Sequence, residues 1–171
     1  MSIETGMNKP LLSLYVESTI PSYATAWDSR DALHLIHQIL TRSFWKNERH
    51  RFSLFTSQTV LDECSRGDSD AAMRRIQLIQ DIPLLAETDK AIELSLFYQQ
   101  LLKIPERAKN DSIHLALCVT YKVDLLLTWN CTHLGPVAQR QIQGYNAKHG
   151  LWTPALVTPE TINEIIAKDK S

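Results

Sequence analysis

Short apolar runs alternate along the chain with longer segments in which apolar residues recur every three or four positions. The run at residues 11–16, Leu-Leu-Ser-Leu-Tyr-Val, is typical of a strand buried on both faces. Similar runs predict strands at 52–56, 84–85, 124–128 and 155–157. Helical spacing predicts helices at 31–45, 58–66, 69–80, 89–102, 110–122, 137–149 and 160–168. A further short helix is expected around Pro21, capped by Ser18 or Thr19.

Strands separated by helices imply parallel β-α units with right-handed crossovers. We therefore predict an α/β fold with helices on both faces of the sheet. A length of 171 residues suits one domain. We place this single domain at residues 11–171 and expect residues 1–10 to be a flexible N-terminal leader, within which Met7 offers an alternative start.

Composition narrows the function classes. The net charge is −1, from 18 basic and 19 acidic residues, and this argues against a stable complex with nucleic acid, although less against an enzyme that binds and releases it. No apolar run is long enough to cross a bilayer, and residues 1–10 lack the apolar segment of a signal peptide. Cys64 and Cys118 fit core positions, whereas Cys131 and His133 alone do not complete a zinc site. These features predict a cytoplasmic protein.

Polar residues follow the predicted strands where a parallel sheet places its ligands, beyond the carboxyl ends. Glu17 comes directly after the first strand, and Asn130 follows the fourth. On the helix at 58–66, Glu63 lies at the margin of the apolar face, while Asp62 points toward solvent. Asp111 begins another helix, and His114 lies one turn later on the same side.

Each of these side chains also has an ordinary structural explanation. Glu17 can favour the next helix terminus, Asp111 can be an N-cap, Glu63 can be solvated and Asn130 can form a turn. Their convergence on one end of one sheet favours a shared site. Crowded carboxylates require cations, and hard ions such as Mg²⁺ or Mn²⁺ accept oxygen ligands. A pair of such ions can activate water and stabilise the leaving oxygen in phosphodiester cleavage.

Four segments, in this order and spacing, resemble the PIN-domain family and within it the VapC-like toxin ribonucleases. They are Tyr-Val-Glu-Ser-Thr-Ile-Pro-Ser-Tyr at 15–23, Val-Leu-Asp-Glu-Cys-Ser-Arg-Gly-Asp at 60–68, Asn-Asp-Ser-Ile-His-Leu-Ala-Leu at 110–117 and Leu-Leu-Thr-Trp-Asn at 126–130. The resemblance covers roughly residues 12–135. It implies a three-layer α/β/α domain with a central, mostly parallel sheet of four to five strands. It also implies a Mg²⁺- or Mn²⁺-dependent endoribonuclease, a homodimer and a cognate antitoxin.

Carried over by position, the resemblance implies that Glu17, Glu63 and Asp111 are the metal ligands and that Asn130 assists catalysis. Glu17 replaces the usual Asp, and Asn130 stands where many members have a fourth Asp; His133 falls near the place of a further acid. The loss of one charge predicts a single firmly bound cation in the free protein. Supporting roles fall to Ser18, Thr19, Thr128 and His114. Capping and turn formation explain the three hydroxyl residues equally well. Local packing or hydrogen bonding explains His114 better than a role as a base.

Two other functions remain open at this point. A PIN-like module that has lost catalysis would serve in protein or RNA binding, and the near-neutral charge and Asn130 agree with it. An α/β phosphatase or phosphotransfer domain lacks support, because this chain has no Asp after the first strand to serve as the nucleophile and no suitably placed Lys after the fourth. The basic stretch at Lys46, Arg49, His50 and Arg51 is better explained as a solvated helix end than as an RNA contact, and Trp129 could stack a base.

Overall fold

Five parallel strands form the centre of the structure, a computed structural model that describes residues 10–168. The strands are β1 (Leu12–Val16), β2 (Phe52–Ser57), β3 (Leu84–Leu85), β4 (Leu125–Leu127) and β5 (Ala155–Val157). Their order in the sheet is β3-β2-β1-β4-β5, and every neighbouring pair is parallel. Of the predicted leader at residues 1–10, only Pro10 is among the described residues. Residues 1–9 and 169–171 lie outside them.

Helices flank the sheet and give a three-layer α/β/α arrangement, so the predicted fold class is confirmed. They are α1 (Thr19–Thr25), α2 (Ala32–Asn47), α3 (Gln58–Cys64), α4 (Ser69–Ile79), α5 (Asp89–Leu101), α6 (Asn110–Thr120), α7 (Cys131–Leu134), α8 (Pro136–His149) and α9 (Ile162–Lys168). Two short 3-10 turns occupy Arg49–Arg51 and Glu106–Ala108. No helix among residues 10–168 is both long and apolar enough to span a membrane.

The central strand, β1, is buried at its carboxyl end, between β2 and β4. Leu14, Tyr15 and Val16 are completely buried. Helix α6 also buries most of its length against the sheet, including Cys118, and α3 buries Cys64, so the prediction that both cysteines are core residues is confirmed.

The register of β1 with β4 determines which polar residues meet. Val16 lies opposite Leu127, the last residue of β4, and the backbone N–H of Glu17 donates to the Leu127 carbonyl at 3.2 Å. The residues that follow the two strands, Glu17 and Thr128, are therefore neighbours at the carboxyl edge. Although 111 positions separate them in sequence, adjacent parallel strands bring them together.

Several predicted boundaries were wrong in detail. The Ser18 side chain does not cap α1 and instead donates to Glu17. Asp111 lies inside the first turn of α6 and is not its N-cap. The last helix begins at Ile162 because the preceding residues form a turn in which Thr158 and Thr161 hydrogen-bond each other. Helix α7 was not predicted at all, since four residues are too short for a periodic apolar pattern.

Candidate metal and active site

Glu17 is a nearly completely buried carboxylate at the end of β1, with 2% of its surface exposed. Its Oε1 accepts a hydrogen bond from the Ser18 hydroxyl at 2.8 Å. Its Oε2 accepts from the Thr19 backbone N–H at 3.1 Å and from the Thr19 and Thr128 hydroxyls at 2.6 and 2.8 Å. These donors replace the water that burial removes, so the structure tolerates a negative charge here.

The two threonines also fasten the ends of β1 and β4 to each other. The Thr19 hydroxyl donates to Glu17 and accepts from the Trp129 backbone N–H at 2.9 Å. The Thr128 hydroxyl donates to Glu17 and accepts from the Asn130 backbone N–H at 2.9 Å. A hydroxyl group can do both at once, which makes these positions unsuited to a purely apolar side chain.

Glu63, on α3, faces His114, on α6, across the same edge of the sheet. Glu63 Oε2 lies 3.0 Å from His114 Nε2, and Oε1 accepts from the Asn110 side-chain amide at 3.2 Å. Asp62 is exposed, so the predicted contrast between Asp62 and Glu63 is confirmed. His114 is completely buried.

The pKa values of this pair shift in opposite directions. Burial raises the pKa of Glu63, but the hydrogen bond and charge of His114, together with smaller contributions such as the hydrogen bond from Asn110, outweigh burial, so the net shift is downward. Burial lowers the pKa of His114, but its hydrogen bond and attraction to Glu63, together with the charges of Glu17 and Asp111, outweigh burial, and the net shift is upward. Both directions favour an ion pair in the metal-free protein.

Glu17, Glu63 and His114 form the only group within residues 10–168 that offers at least three metal-binding side chains, with ligand atoms within 4.8 Å of one another. Two ligands at neighbouring positions of an octahedral ion with bonds of about 2.1 Å lie about 3 Å apart, and opposite ligands lie about 4.2 Å apart. The ligand atoms of the group all lie within 4.8 Å of one another, and Glu63 and His114 are 3.0 Å apart, so small side-chain movements would bring the three around such an ion. The chemistry of two carboxylates and an imidazole therefore fits a divalent cation.

Asp111 lies outside this group and has partners of its own. Its Oδ2 accepts from the Asn130 side-chain amide at 2.8 Å and lies 2.6 Å from His133 Nδ1. Burial raises the pKa of Asp111, and its hydrogen bond to His133 opposes this rise only in part. The charges of Glu17 and His114 also influence this carboxyl, so the two parts of the site are close enough to interact.

The residues predicted for the site thus fall into two sets at the same edge of the sheet. Glu17 and Glu63 come together as predicted, but their third partner is His114 rather than Asp111. Ser18, Thr19 and Thr128 all donate to Glu17. Asn130 contacts Asp111 and also caps α7, so its structural and site roles coexist.

The other residues considered for RNA or zinc binding lie away from the site or are already engaged. The basic stretch precedes β2 and so lies at the amino ends of the strands, away from the carboxyl edge. Trp129 stacks on His37, with ring centroids 3.9 Å apart, and its indole N–H donates to Thr41, so one face of this ring is already covered. Cys131 is exposed and lies outside the metal-compatible group.

Three features of the site were not predicted from the sequence: the contacts of Tyr15, those of Ser57, and the pairing of His133 with Asp111. Tyr15 occupies a continuous apolar run and therefore resembles a core residue, although its hydroxyl lies 2.8 Å from His114 Nδ1. Ser57 is the N-cap of α3, and its Oγ lies 2.7 Å from the Tyr15 hydroxyl. A polar atom inside a buried strand was the available signal, because such an atom requires a partner.

Comparison with known proteins adds no identification: no protein-family model matches the chain, and no curated protein matches it.

Proposed function

We propose that the protein is a metal-dependent endoribonuclease of toxin type, which hydrolyses phosphodiester bonds in single-stranded or structured RNA. The observation that carries this proposal is the buried group of Glu17, Glu63 and His114 at the carboxyl edge of a parallel sheet. Two carboxylates in a buried group favour a cation, and the edge is where α/β sheets bind ligands. The four sequence segments that resemble PIN domains support the choice of RNA.

Glu17 and Glu63 would hold the cation, which is Mg²⁺ or Mn²⁺, and His114 lies within reach of it. When bound, such an ion supplies Lewis-acid stabilisation of a phosphate oxygen and lowers the pKa of water. Asp111 and His133 form a second polar pair beside the group, and Asn130 orients Asp111. Because Asp111 lies outside the group and is engaged elsewhere, the arrangement supports one firmly held cation in the free protein.

Cleavage of defined RNAs by the purified protein tests this proposal. We expect cleavage with Mn²⁺ or Mg²⁺ and none in EDTA. Each of Glu17→Gln, Glu63→Gln and Asp111→Asn should lower the cleavage rate at least about 100-fold, the scale of losing one electrostatic catalytic group. Asp62→Asn is the matched control, since Asp62 neighbours Glu63 but is exposed. Absence of metal-dependent cleavage across varied RNAs by antitoxin-free protein would instead favour the binding-module alternative.

The resemblance also supports a cognate antitoxin that covers this edge of the sheet. It supports a homodimer as well, and we propose that the protein is cytoplasmic. Free thiols at Cys64, Cys118 and Cys131 agree with a reducing compartment. Light scattering coupled to gel filtration tests the homodimer, which has twice the chain mass of 19.5 kDa. A small gene directly upstream whose product co-purifies and abolishes RNA cleavage would support the antitoxin.

A further inference from the structure

A buried chain of hydrogen bonds runs from the metal-compatible group into the core through Tyr15 and Ser57. Tyr15 is completely buried in β1, and its hydroxyl lies between His114 Nδ1, at 2.8 Å, and Ser57 Oγ, at 2.7 Å. Ser57 Oγ in turn accepts from the Val60 backbone N–H at 3.3 Å, which ties the chain to the start of α3. The His114 ring is therefore held from the side opposite Glu63.

We propose that His114 Nε2 is a direct metal ligand positioned by Tyr15 and Ser57, and that this nitrogen makes the site select Mn²⁺ over Mg²⁺. The proposal rests on the metal site of the proposed function and specifies its ligands and preference. Tyr15 and Ser57 are positioning residues, because they act on the cation only through the imidazole.

The positions of the two ring nitrogens support ligation. Nε2 is the nitrogen that faces Glu63, a member of the group, and its separation of 3.0 Å from Glu63 Oε2 is that of two neighbouring ligands on one ion. Nδ1 faces away from this group, toward Tyr15. Histidine ligands usually hydrogen-bond through the second ring nitrogen, and that partner sets the tautomer and the ring orientation.

Tyr15 suits this purpose because its hydroxyl can accept from Nδ1 and donate to Ser57 at the same time. In the metal-free ion pair both ring nitrogens carry protons, so Nε2 donates to Glu63 and Nδ1 donates to the Tyr15 oxygen. When Nε2 binds a cation, Nδ1 carries the proton and donates to the Tyr15 oxygen, while the Tyr15 hydroxyl donates to Ser57. The ring therefore keeps its position in both states, with no rearrangement of the buried side chains around it.

A nitrogen ligand changes which metal the site prefers. Mg²⁺ binds oxygen ligands and water almost exclusively, whereas imidazole suits first-row transition ions. Mn²⁺ shares with Mg²⁺ the preference for carboxylate and water oxygens, but it is a first-row transition ion, so one imidazole among two carboxylates favours Mn²⁺ over Mg²⁺.

Electron spin echo spectroscopy of the Mn²⁺-loaded protein tests ligation directly. We expect modulation from a coordinated ¹⁴N nucleus in the wild type and its loss in His114→Gln. Calorimetric titration should show tighter binding of Mn²⁺ than of Mg²⁺. In Tyr15→Phe, Mn²⁺ affinity should fall by about 10–100-fold, the usual effect of removing such a partner, with a smaller change for Mg²⁺.

Tyr98→Phe is the matched control. Tyr98 is likewise completely buried and its hydroxyl donates to Asn146 Oδ1 at 2.6 Å, away from the metal-compatible group. The Tyr98→Phe variant should be less stable than the wild type, with an unchanged ratio of Mn²⁺ to Mg²⁺ affinity. Circular dichroism melts of both variants establish that the folded protein is being titrated.

The outcomes separate this inference from the proposed function. Mn²⁺ binding without ¹⁴N modulation, or Tyr15→Phe with an unchanged affinity ratio, overturns the inference even if RNA is cleaved. Modulation that depends on His114, together with the altered ratio, supports it even if no RNA is cleaved. Failure of the wild type to bind either ion overturns both the inference and the proposed metal site.

Discussion

At the scale of single residues, the site depends on how its buried charges are compensated. Glu17 is buried at the end of a central strand, and three hydroxyl groups and one backbone N–H compensate its charge. Glu63 is compensated by His114 and Asn110 instead. The two carboxylates can therefore approach one another in the metal-free protein without either being left unpaired.

Replacing Thr128 by Val should destabilise the metal-free protein because it removes a donor to Glu17 and an acceptor for Asn130. We expect a loss of about 1–3 kcal/mol in the free energy of unfolding, the scale for unsatisfied buried polar groups. Urea denaturation in EDTA measures it. Thr128→Ser retains the hydroxyl and should lose clearly less; equal losses in the two variants would show that the hydroxyl contributes nothing.

The ion pair of Glu63 and His114 should make stability depend on pH in EDTA. The pKa of Glu63 is lowered from 4.5, so its contribution is complete above that value and is lost as pH falls through the lowered pKa. The pKa of His114 is raised from 6.5, so its contribution is complete below that value and is lost as pH rises through the raised pKa. The pair should therefore contribute most to the free energy of unfolding between pH 4.5 and pH 6.5, the ordinary pKa values of the two groups.

Urea denaturation of the wild type and Glu63→Gln across pH tests this window. The difference in unfolding free energy should be about 1.5–3 kcal/mol near pH 5.5, the scale of a hydrogen bond to a charged group, and should shrink toward pH 9. Asp62→Asn should show no such window. A Glu63→Gln difference that stays constant or grows toward pH 9 would mean that His114 is not the charged partner.

At the scale of elements, the junction between β4 and α7 joins the two parts of the site. Thr128, directly after β4, contacts Glu17, and Asn130, the N-cap of α7, contacts Asp111. Apolar runs were enough to predict β4 and the residues after it. They could not predict α7 or the pairing of His133 with Asp111, because a single short turn determines where His133 points and carries too few residues for a period.

Asn130→Asp should lower the stability of the metal-free protein and strengthen metal binding at this junction. The new carboxylate can still cap α7, but it would face Asp111 where an amide now donates at 2.8 Å, and two adjacent carboxylates repel. We expect a lower melting temperature in EDTA and a larger rise on adding Mn²⁺ than in the wild type. Asn130→Ala loses the cap and gains no charge, so its melting temperature should fall without the larger rise. A rise no larger in Asn130→Asp than in the wild type would place position 130 outside the reach of the cation.

At the scale of the whole molecule, parallel topology explains why the sequence predicted the carboxylates better than their partners. Glu17, Glu63 and Asp111 follow from strand ends and helix faces, which periodicity reveals. The third member of the metal-compatible group, His114, depends on where the fold places α6 relative to α3 at the sheet edge. Such a contact between two helices is tertiary, and no local pattern in either helix records it.

Because the metal-compatible group unites the end of β1 with α3 and α6, a bound cation should stabilise the whole fold. Saturation at 100 times the dissociation constant adds about 2.7 kcal/mol, which for a domain of this size raises the melting temperature by about 5–10 °C. Differential scanning calorimetry with Mn²⁺ against EDTA measures the rise. Glu17→Gln should abolish it and the exposed control Asp62→Asn should keep it, whereas an equal rise in Glu17→Gln would place the cation elsewhere. The rise should also increase with the logarithm of Mn²⁺ concentration, since a site that exists only when all three elements are docked binds the native state alone.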